Sequence, residues 1–391
     1  MHEFQTSEHF PKALSFAHSG GFSITILPER DSPLDFPERS RHIFADGFDC
    51  LEHRPGDAGQ LYLELPMTSP RPETALPSAC FVAIEIGGTK LQLLVGDASG
   101  KALDEVRLTV DRSRGGAGIR AQIEEALPRL LAQWQPSALG VGFGGPVDWQ
   151  TGQVCCSHQI EGWADFPLGQ WLGQLSRRPV VVDNDANLAA LGEATHGAGA
   201  GCNPVFYITL GSGVGGGLVV GGSIYHGAKP GESEVGHLRL DRQGTILESR
   251  CSGWAVDAKI RRLQESGGAV DLNRPVGTPP GGEARWLGPA WQRNDPEARR
   301  ILRETAADLA FGLSHVVQLF HPETIVIGGG LSLIGEPLRE AVAGALRGFV
   351  MEAFGEGPSV RLAALGEWAV PAGCLVAARQ LWESAGHKPR G

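Results

Sequence analysis

Ile84-Glu85-Ile86-Gly87-Gly88-Thr89-Lys90 and Thr209-Leu210-Gly211-Ser212-Gly213-Val214-Gly215-Gly216-Gly217 are two glycine-rich stretches of one style in a chain of 391 residues. Phe81-Val82-Ala83-Ile84 leads into the first and Leu91-Gln92-Leu93-Leu94-Val95 leaves it; Val205-Phe206-Tyr207-Ile208 and Leu218-Val219-Val220 flank the second. Both read as turns of β-hairpins rather than strand-to-helix corners. That excludes a P-loop, which needs GxxxxGK[ST] opening a helix, and a dinucleotide fingerprint inside a βαβ unit, because Lys90 begins a second strand. Glycine at such turns lets the backbone approach phosphate oxygens and offer successive N–H donors. Either turn alone reads equally well as an ordinary hairpin. The pair, flanking Asn184-Asp185-Ala186-Asn187, points to a nucleotide phosphate held between two halves of a duplicated fold.

Past the first hairpin, strands alternate with helices, as two stacked α/β units require. Gly118 to Gln135 carries Ile119, Ile123, Leu127 and Leu131 at helical period, with Pro128 as a potential kink. Leu139 to Phe143 returns to strand, and Val180-Val181-Val182-Asp183 is a short buried strand delivering Asn184 and Asp185 at its end. Ser266 to Asp295 reads as a Pro/Gly-rich connection. Asp295-Pro296 then makes an N-cap and first helical position. The helix that follows sets Leu302, Ala306, Leu309, Leu313, Val316 and Phe320 along one face and is closed by Pro322. Leu375 to Ser384 reads as a last helix.

Length suffices for two domains with proper cores. With 44 acidic against 34 basic residues, a nucleic-acid backbone is not the expected partner. No apolar run is long enough to cross a bilayer, and Met1-His2-Glu3-Phe4-Gln5-Thr6 lacks a basic segment followed by an apolar core. A cytoplasmic protein is expected, and seven cysteines, an odd count, fit reduced thiols.

From about Phe81 onward the chain resembles the ROK family of sugar kinases and repressors, within the actin-like ATPase superfamily. Glu85-Ile86-Gly87-Gly88-Thr89 is similar to the family's first phosphate loop, where the acidic residue, often Asp, helps place Mg²⁺. Gly142-Phe143-Gly144-Gly145-Pro146-Val147-Asp148 is similar to the sugar-side loop. Asn184-Asp185-Ala186-Asn187 with Leu191-Gly192-Glu193 matches the catalytic segment, Ser233-Glu234-Val235-Gly236-His237 the GExGH motif, and Ile327-Gly328-Gly329-Gly330 the adenosine-side turn. The resemblance implies two actin-like, ribonuclease H-like α/β domains with a cleft between them and an N-terminal extension. The extension is 1–78, the small domain 79–184 and the large domain 185–371, with a C-terminal helix, 372–386, packing back on the small domain. It also implies ATP and Mg²⁺, a sugar partner and a homodimer.

The chemistry implied is transfer of the γ-phosphoryl group of ATP to a hexose hydroxyl. A hydroxyl is a poor nucleophile at neutral pH and needs a carboxylate within hydrogen-bonding reach, a contribution of typically about 10²–10⁴-fold. Asp185 is the candidate base; an Asx turn or helix cap is the plainer job for an Asn-Asp pair. Sugar hydroxyls are read by groups that both donate and accept. Carried over by position, Asn184, Gly145, Gln159, Glu234, His237 and Glu248 line the sugar pocket, Gln159 standing where many relatives have Asn. Phosphate and cofactor contacts fall to Glu85, Gly87, Gly88, Thr89, Lys90, Gly211, Ser212, Gly213, Gly328, Gly329 and Gly330.

Most ROK proteins follow GExGH with a CxCGxxGC cluster that joins the His on structural zinc. Here the stretch runs Leu240-Asp241-Arg242-Gln243-Gly244-Thr245-Ile246-Leu247-Glu248, so no structural zinc is expected. Cys155, Cys156 and Cys202 read as buried small hydrophobes. Glucose is the first-choice sugar, with fructose or an N-acetylated hexosamine next and polyphosphate as an alternative donor. A sugar-sensing regulator would carry a helix-turn-helix, whose helical pairs and basic face are missing from 1–78. A different actin-like ATPase would lack Glu234-Val235-Gly236-His237. Met67 begins a stretch similar to an ordinary ROK leader, so the residues before it read as an accessory appendage or an over-extended reading frame.

Overall fold

The computed structural model describes residues 79–157, 160–231, 233–268 and 281–387, and the short strands Phe16–Ala17 and Ser23–Ile24. The chain divides into two compact units, 1–70 and 71–391. In the first, the two short strands pair antiparallel with Phe16 opposite Ile24; Leu61-Tyr62-Leu63-Glu64-Leu65, an apolar run that also reads as a strand, lies outside the described residues.

The second unit holds two five-stranded sheets of one design. In the first sheet β1 (Cys80–Ile86), β2 (Lys90–Asp97) and β3 (Ala102–Thr109) form an antiparallel meander, while β4 (Ala138–Phe143) and β5 (Val180–Asn184) add in parallel, giving the order β3-β2-β1-β4-β5. In the second, β6 (Val205–Leu210), β7 (Val214–Val220), β8 (Ser223–Ile224), β9 (Thr324–Gly328) and β10 (Ser359–Leu362) repeat it as β8-β7-β6-β9-β10. Apolar runs without alternation explain the central strands: β1 is buried along nearly its whole length, as a strand covered on both faces must be. Edge strand β3, Ala-Leu-Asp-Glu-Val-Arg-Leu-Thr, alternates and faces solvent on one side.

Helix α1 (Gly115–Trp134) covers the first sheet with Ile119, Ile123, Leu127 and Leu130, each fully buried aliphatic side chain contributing about 1.5–3 kcal/mol. It begins three residues before the sequence pattern indicates and runs through Pro128 without interruption. Leu130 is fully buried, whereas Leu131, the expected fourth position, only half is. A small hairpin, Val147–Asp148 with Gln153–Val154, and α2 (Leu168–Ser176) precede β5. On the second sheet α4 (Pro296–Phe320) buries Leu302, Ala306, Leu309, Leu313 and Val316. Its N-cap, Asp295, accepts from the Ala298 N–H at 2.8 Å, a contact worth about 1 kcal/mol. Phe320 departs from expectation, standing 42 % exposed, because the last turn overhangs the core. The segment read as a connection also carries structure at its end, a 3₁₀ turn at Glu283–Trp286 and helix Leu287–Gln292. Leu287 and Ala290 give it a buried face.

Between the sheets lie α3 (Asp185–His196) and α5 (Ala369–Ser384). α5 begins six residues earlier than its sequence pattern indicates. The core they form takes Phe81, Ala83 and Leu94 from the first sheet, Val205, Tyr207, Val219 and Val326 from the second, Leu188 and Leu191 from α3, and Leu375 and Ala378 from α5. The helices cross at backbone contact: a Cβ on Gly373 would stand 1.8 Å from the Leu188 carbonyl oxygen. Among the described residues no helix is long and apolar enough to cross a membrane.

Candidate active site

Three parallel strands of the first sheet end in register, Ile86 opposite Phe143 and Phe143 opposite Asn184. Their continuations, Gly87-Gly88-Thr89, Gly144-Gly145 and Asp185, therefore leave the sheet at one edge, the carboxyl edge where open parallel sheets take ligands. The Gly144 N–H donates to the Ile86 carbonyl at 3.1 Å, and Asn184 Nδ2 donates to the Gly145 carbonyl at 3.2 Å. A Cβ on Gly144 would lie 3.4 Å from Asp185 Oδ2. Lys90 Nζ stands 3.1 Å from Glu85 Oε2, so the lysine expected at phosphate is ion-paired with the acidic residue of its own hairpin.

The helix-cap reading of the Asn-Asp pair belongs to Asn184. Its Oδ1 accepts from the N–H groups of Ala186 at 2.8 Å and Asn187 at 3.3 Å. Asp185 Oδ1 accepts from Ala186 N–H at 2.8 Å, and Oδ2 faces Gly144. Burial, then the Glu85 charge, and less strongly that of Glu234, push the Asp185 carboxyl up to about 6. Glu85 itself is raised by burial against the opposing pull of Lys90. A carboxylate near 6 is still ionised at neutral pH but takes a proton more readily than a surface Asp.

The second glycine turn is built at the end of β6. Gly211 N–H donates to the Gly213 carbonyl at 2.9 Å, and Gly253 N–H to the Gly211 carbonyl at 2.8 Å. Ser212 at its tip is exposed. Gly215 to Gly217, read as part of the loop, belong to β7. A Cβ on Gly215 would lie 3.2 Å from Ala186 Cβ and one on Gly217 2.7 Å from Ala190 Cβ, so these glycines let α3 rest on the strand. The first turn of α3 thus borders Gly144 on one side and β7 on the other. Parallel β9 ends beside β6, with Gly328 opposite Thr209. Gly329 has φ of 78°, and a Cβ there would strike Leu210 N at 2.6 Å; Gly330 opens a 3₁₀ turn in open space.

Val214 gathers the remaining sugar candidates. Its N–H donates to Glu248 Oε2 at 2.9 Å, and its carbonyl oxygen is 2.3 Å from where a Gly236 Cβ would sit. Glu248 and the Glu234–His237 segment consequently meet at the start of β7. Glu234 and His237 are exposed, and Gln159 lies outside the described residues. Gly328 and Gly329 stand beside the second glycine turn through Thr209 and Leu210, and the same turn meets Glu248, whose Oε2 lies 2.5 Å from where a Gly213 Cβ would sit.

Sequence reasoning missed Trp149 and His226 and gave no role of their own to Asp183 and Asn187, which close two stretches it singles out. His226 Nε2 lies 2.6 Å from Asp183 Oδ2, 43 positions away, a pairing no local pattern announces. Cys155, Cys156 and Cys202 are half-buried rather than buried, while Cys80, Cys251 and Cys374 are buried. Among the described residues no three His, Cys, Asp or Glu side chains are grouped to hold a metal. Cys251 Sγ points into the core, 3.6 Å from the Thr305 carbonyl.

Duplicated sheets of this order, with glycine turns at their carboxyl edges and an Asp at the head of the joining helix, define an actin-like phosphotransferase fold. Residues 81–380 match the model of the ROK family, and the chain belongs to that family, a member of the actin-like ATPase superfamily. It is 32 % identical to the glucokinase of Halalkalibacterium halodurans over 305 residues, 73 % of this chain and 91 % of that one. Its fold is similar to the ROK glucokinase of Streptomyces griseus solved with glucose and AMPPNP (30 % identity, TM-score 0.66, 77 % of this chain and 100 % of that one). It is likewise similar to the ROK hexokinase of Thermus thermophilus (30 % identity, TM-score 0.65, 79 % and 100 %).

Proposed function

We propose that the protein transfers the γ-phosphoryl group of ATP to a hexose hydroxyl, glucose being the first-choice acceptor. The observation that carries this is Asp185, raised to about 6 at the head of α3, with Gly144 on one side and β7 on the other. The sugar hydroxyl donates its hydrogen bond to Asp185 Oδ2. As the oxygen attacks the γ-phosphorus its proton passes to the carboxylate, the bond to the bridging oxygen breaks, and ADP leaves. Backbone N–H groups of Gly88, Thr89, Ser212 and Gly213 donate to phosphate oxygens, those of Gly87 and Gly211 closing the turns that hold them, while Gly328 to Gly330 receive the adenosine side. Asn184, Gly145, Gln159, Glu234, His237 and Glu248 hold the sugar.

Glu85 fits a Mg²⁺ partner, since its charge already weighs on Asp185 and a divalent cation would offset that repulsion. Bound there, Mg²⁺ would neutralise charge on the β- and γ-phosphate oxygens. Lys90, held on Glu85, keeps that carboxylate from being a bare buried charge. Lobes bounded at 79–184 and 185–371, a C-terminal helix 372–386 serving the first, a zinc-free homodimer and a cytoplasmic location belong to the same reading. The relatives' names support the sugar and the donor; the acidic balance of the chain speaks against nucleic acid.

A coupled assay over glucose, fructose, mannose and N-acetylated hexosamines, with ATP and Mg²⁺ and in parallel with polyphosphate, tests the proposal. Turnover with at least one hexose is expected; none with any acceptor or donor refutes it.

A further inference from the structure

Asp183 is the penultimate residue of β5, and its side chain is 5 % exposed. A carboxylate so deeply placed must have its oxygens satisfied, and both are. Oδ1 accepts from the Asn184 N–H at 2.8 Å and from Asn187 Nδ2 at 2.9 Å; Oδ2 accepts from His226 Nε2 at 2.6 Å. A carboxylate only accepts, so Nε2 carries the proton. The His226 ring is stacked on Trp149, centroids 4.2 Å apart and planes within 12°. Trp149 follows the strand Val147–Asp148, whose Asp148 is bound by Lys229 at 2.8 Å. Asn187 Nδ2 also donates to the Gly231 carbonyl at 3.0 Å.

These contacts tie three pieces of chain together. One is the end of β5, which continues directly into Asn184 and Asp185. Another is the hairpin that carries Trp149. The third is the segment from His226 to Gly231, which leads to Glu234 and His237. None of Asp183, His226, Trp149 or Asn187 is among the groups assigned to substrate above. We propose that Asp183 and His226 are a positioning pair: by fixing the approach to Glu234 and His237 against the strand end that bears the base, they assemble the sugar subsite, leaving the nucleotide turns untouched. The inference rests on the sugar-kinase reading, with one arm of the test independent of it.

His226→Ala removes the donor and the stacked ring; His226→Gln returns an amide N–H toward Asp183; Asp183→Asn keeps an acceptor and removes the charge. Losing a buried hydrogen bond to a charged group is expected to raise the hexose KM of His226→Ala roughly tenfold or more, with the ATP KM within about twofold. His226→Gln should recover most of that loss, and Asp183→Asn should fall between. A purely structural role would lower stability and kcat without separating the two KM values. The independent arm is hydrogen exchange of the ligand-free proteins read by mass spectrometry: His226→Ala should exchange faster at 183–187 and 233–237 than wild type and unchanged at 205–210. Equal hexose KM in His226→Ala and wild type, or unaltered exchange at 233–237, overturns the proposal. Absence of hexose turnover by the wild type instead removes the sugar-kinase reading and leaves the exchange arm to decide whether the pair fixes that segment.

Discussion

Replacing Asp185 by Asn should remove catalysis and, above neutral pH, make the protein more stable. The folded carboxyl lies at about 6 against an ordinary 3.8, roughly two units, and one unit corresponds to about 1.36 kcal/mol. Keeping Asp185 ionised therefore costs the fold at most about 3 kcal/mol, trimmed by solvent reaching part of the side chain. The sign follows from proton linkage. The folded state binds this proton more tightly than the unfolded state, so the penalty is absent below about pH 4, grows as pH rises toward 6 and is complete above it. Asn carries no charge at any pH and still accepts from Ala186 N–H. Urea unfolding of both proteins at pH 4 and pH 8 should show matching midpoints at the lower pH and a higher midpoint for Asp185→Asn at the upper. In the coupled assay kcat/KM of the wild type should rise with pH through about 6, and Asp185→Asn should lose about 10²–10⁴-fold together with that limb. Wild-type turnover in the variant, or a lower midpoint at pH 8, would refute the reasoning.

Three further outcomes can be checked separately. Gly329→Ala forces a side chain into positive φ and onto Leu210; steady-state kinetics should show the ATP KM raised more than the hexose KM. Gly373→Ala would press a methyl group against the Leu188 carbonyl at 1.8 Å, and denaturant titration should show a loss of about 1–3 kcal/mol or more. Burial pushes the thiols of Cys80 to about 11 and Cys251 to about 12, and that of Cys374 well upward. At pH 8 these three should stay unlabelled by iodoacetamide in the folded protein, as peptide mapping would read, and react once it is unfolded.

The two hairpins were legible because glycine turns between apolar runs carry their own local signal, and the strand ending at Asn184 because Val180-Val181-Val182 is apolar and β-branched. Legibility stopped where tertiary contact decides. The glycines at 215–217 look like loop in one dimension and are strand because α3 needs the space above them. Ala369 to Gly373 carries Pro371 and Gly373, poor helix formers, yet is helix because Gly373 permits the crossing with α3. Glu248 could be assigned to the sugar by position, but its bond to Val214 depends on a turn 34 residues upstream. The Asp183 and His226 pair has no sequence signature at all.

The sandwiching of α5 between the sheets bears on how the chain matures at the ribosome. Cys374 Sγ rests 3.8 Å from the Ile84 carbonyl across 290 residues of sequence, so the inner face of the first five-stranded sheet lacks this helix while everything between is being translated. At about 5–20 residues per second that interval is on the order of 15–60 s, in which Phe81, Ala83 and Leu94 lack their final cover. The first lobe is thus made first but finished last, its completion tied to arrival of the helix at Ala369.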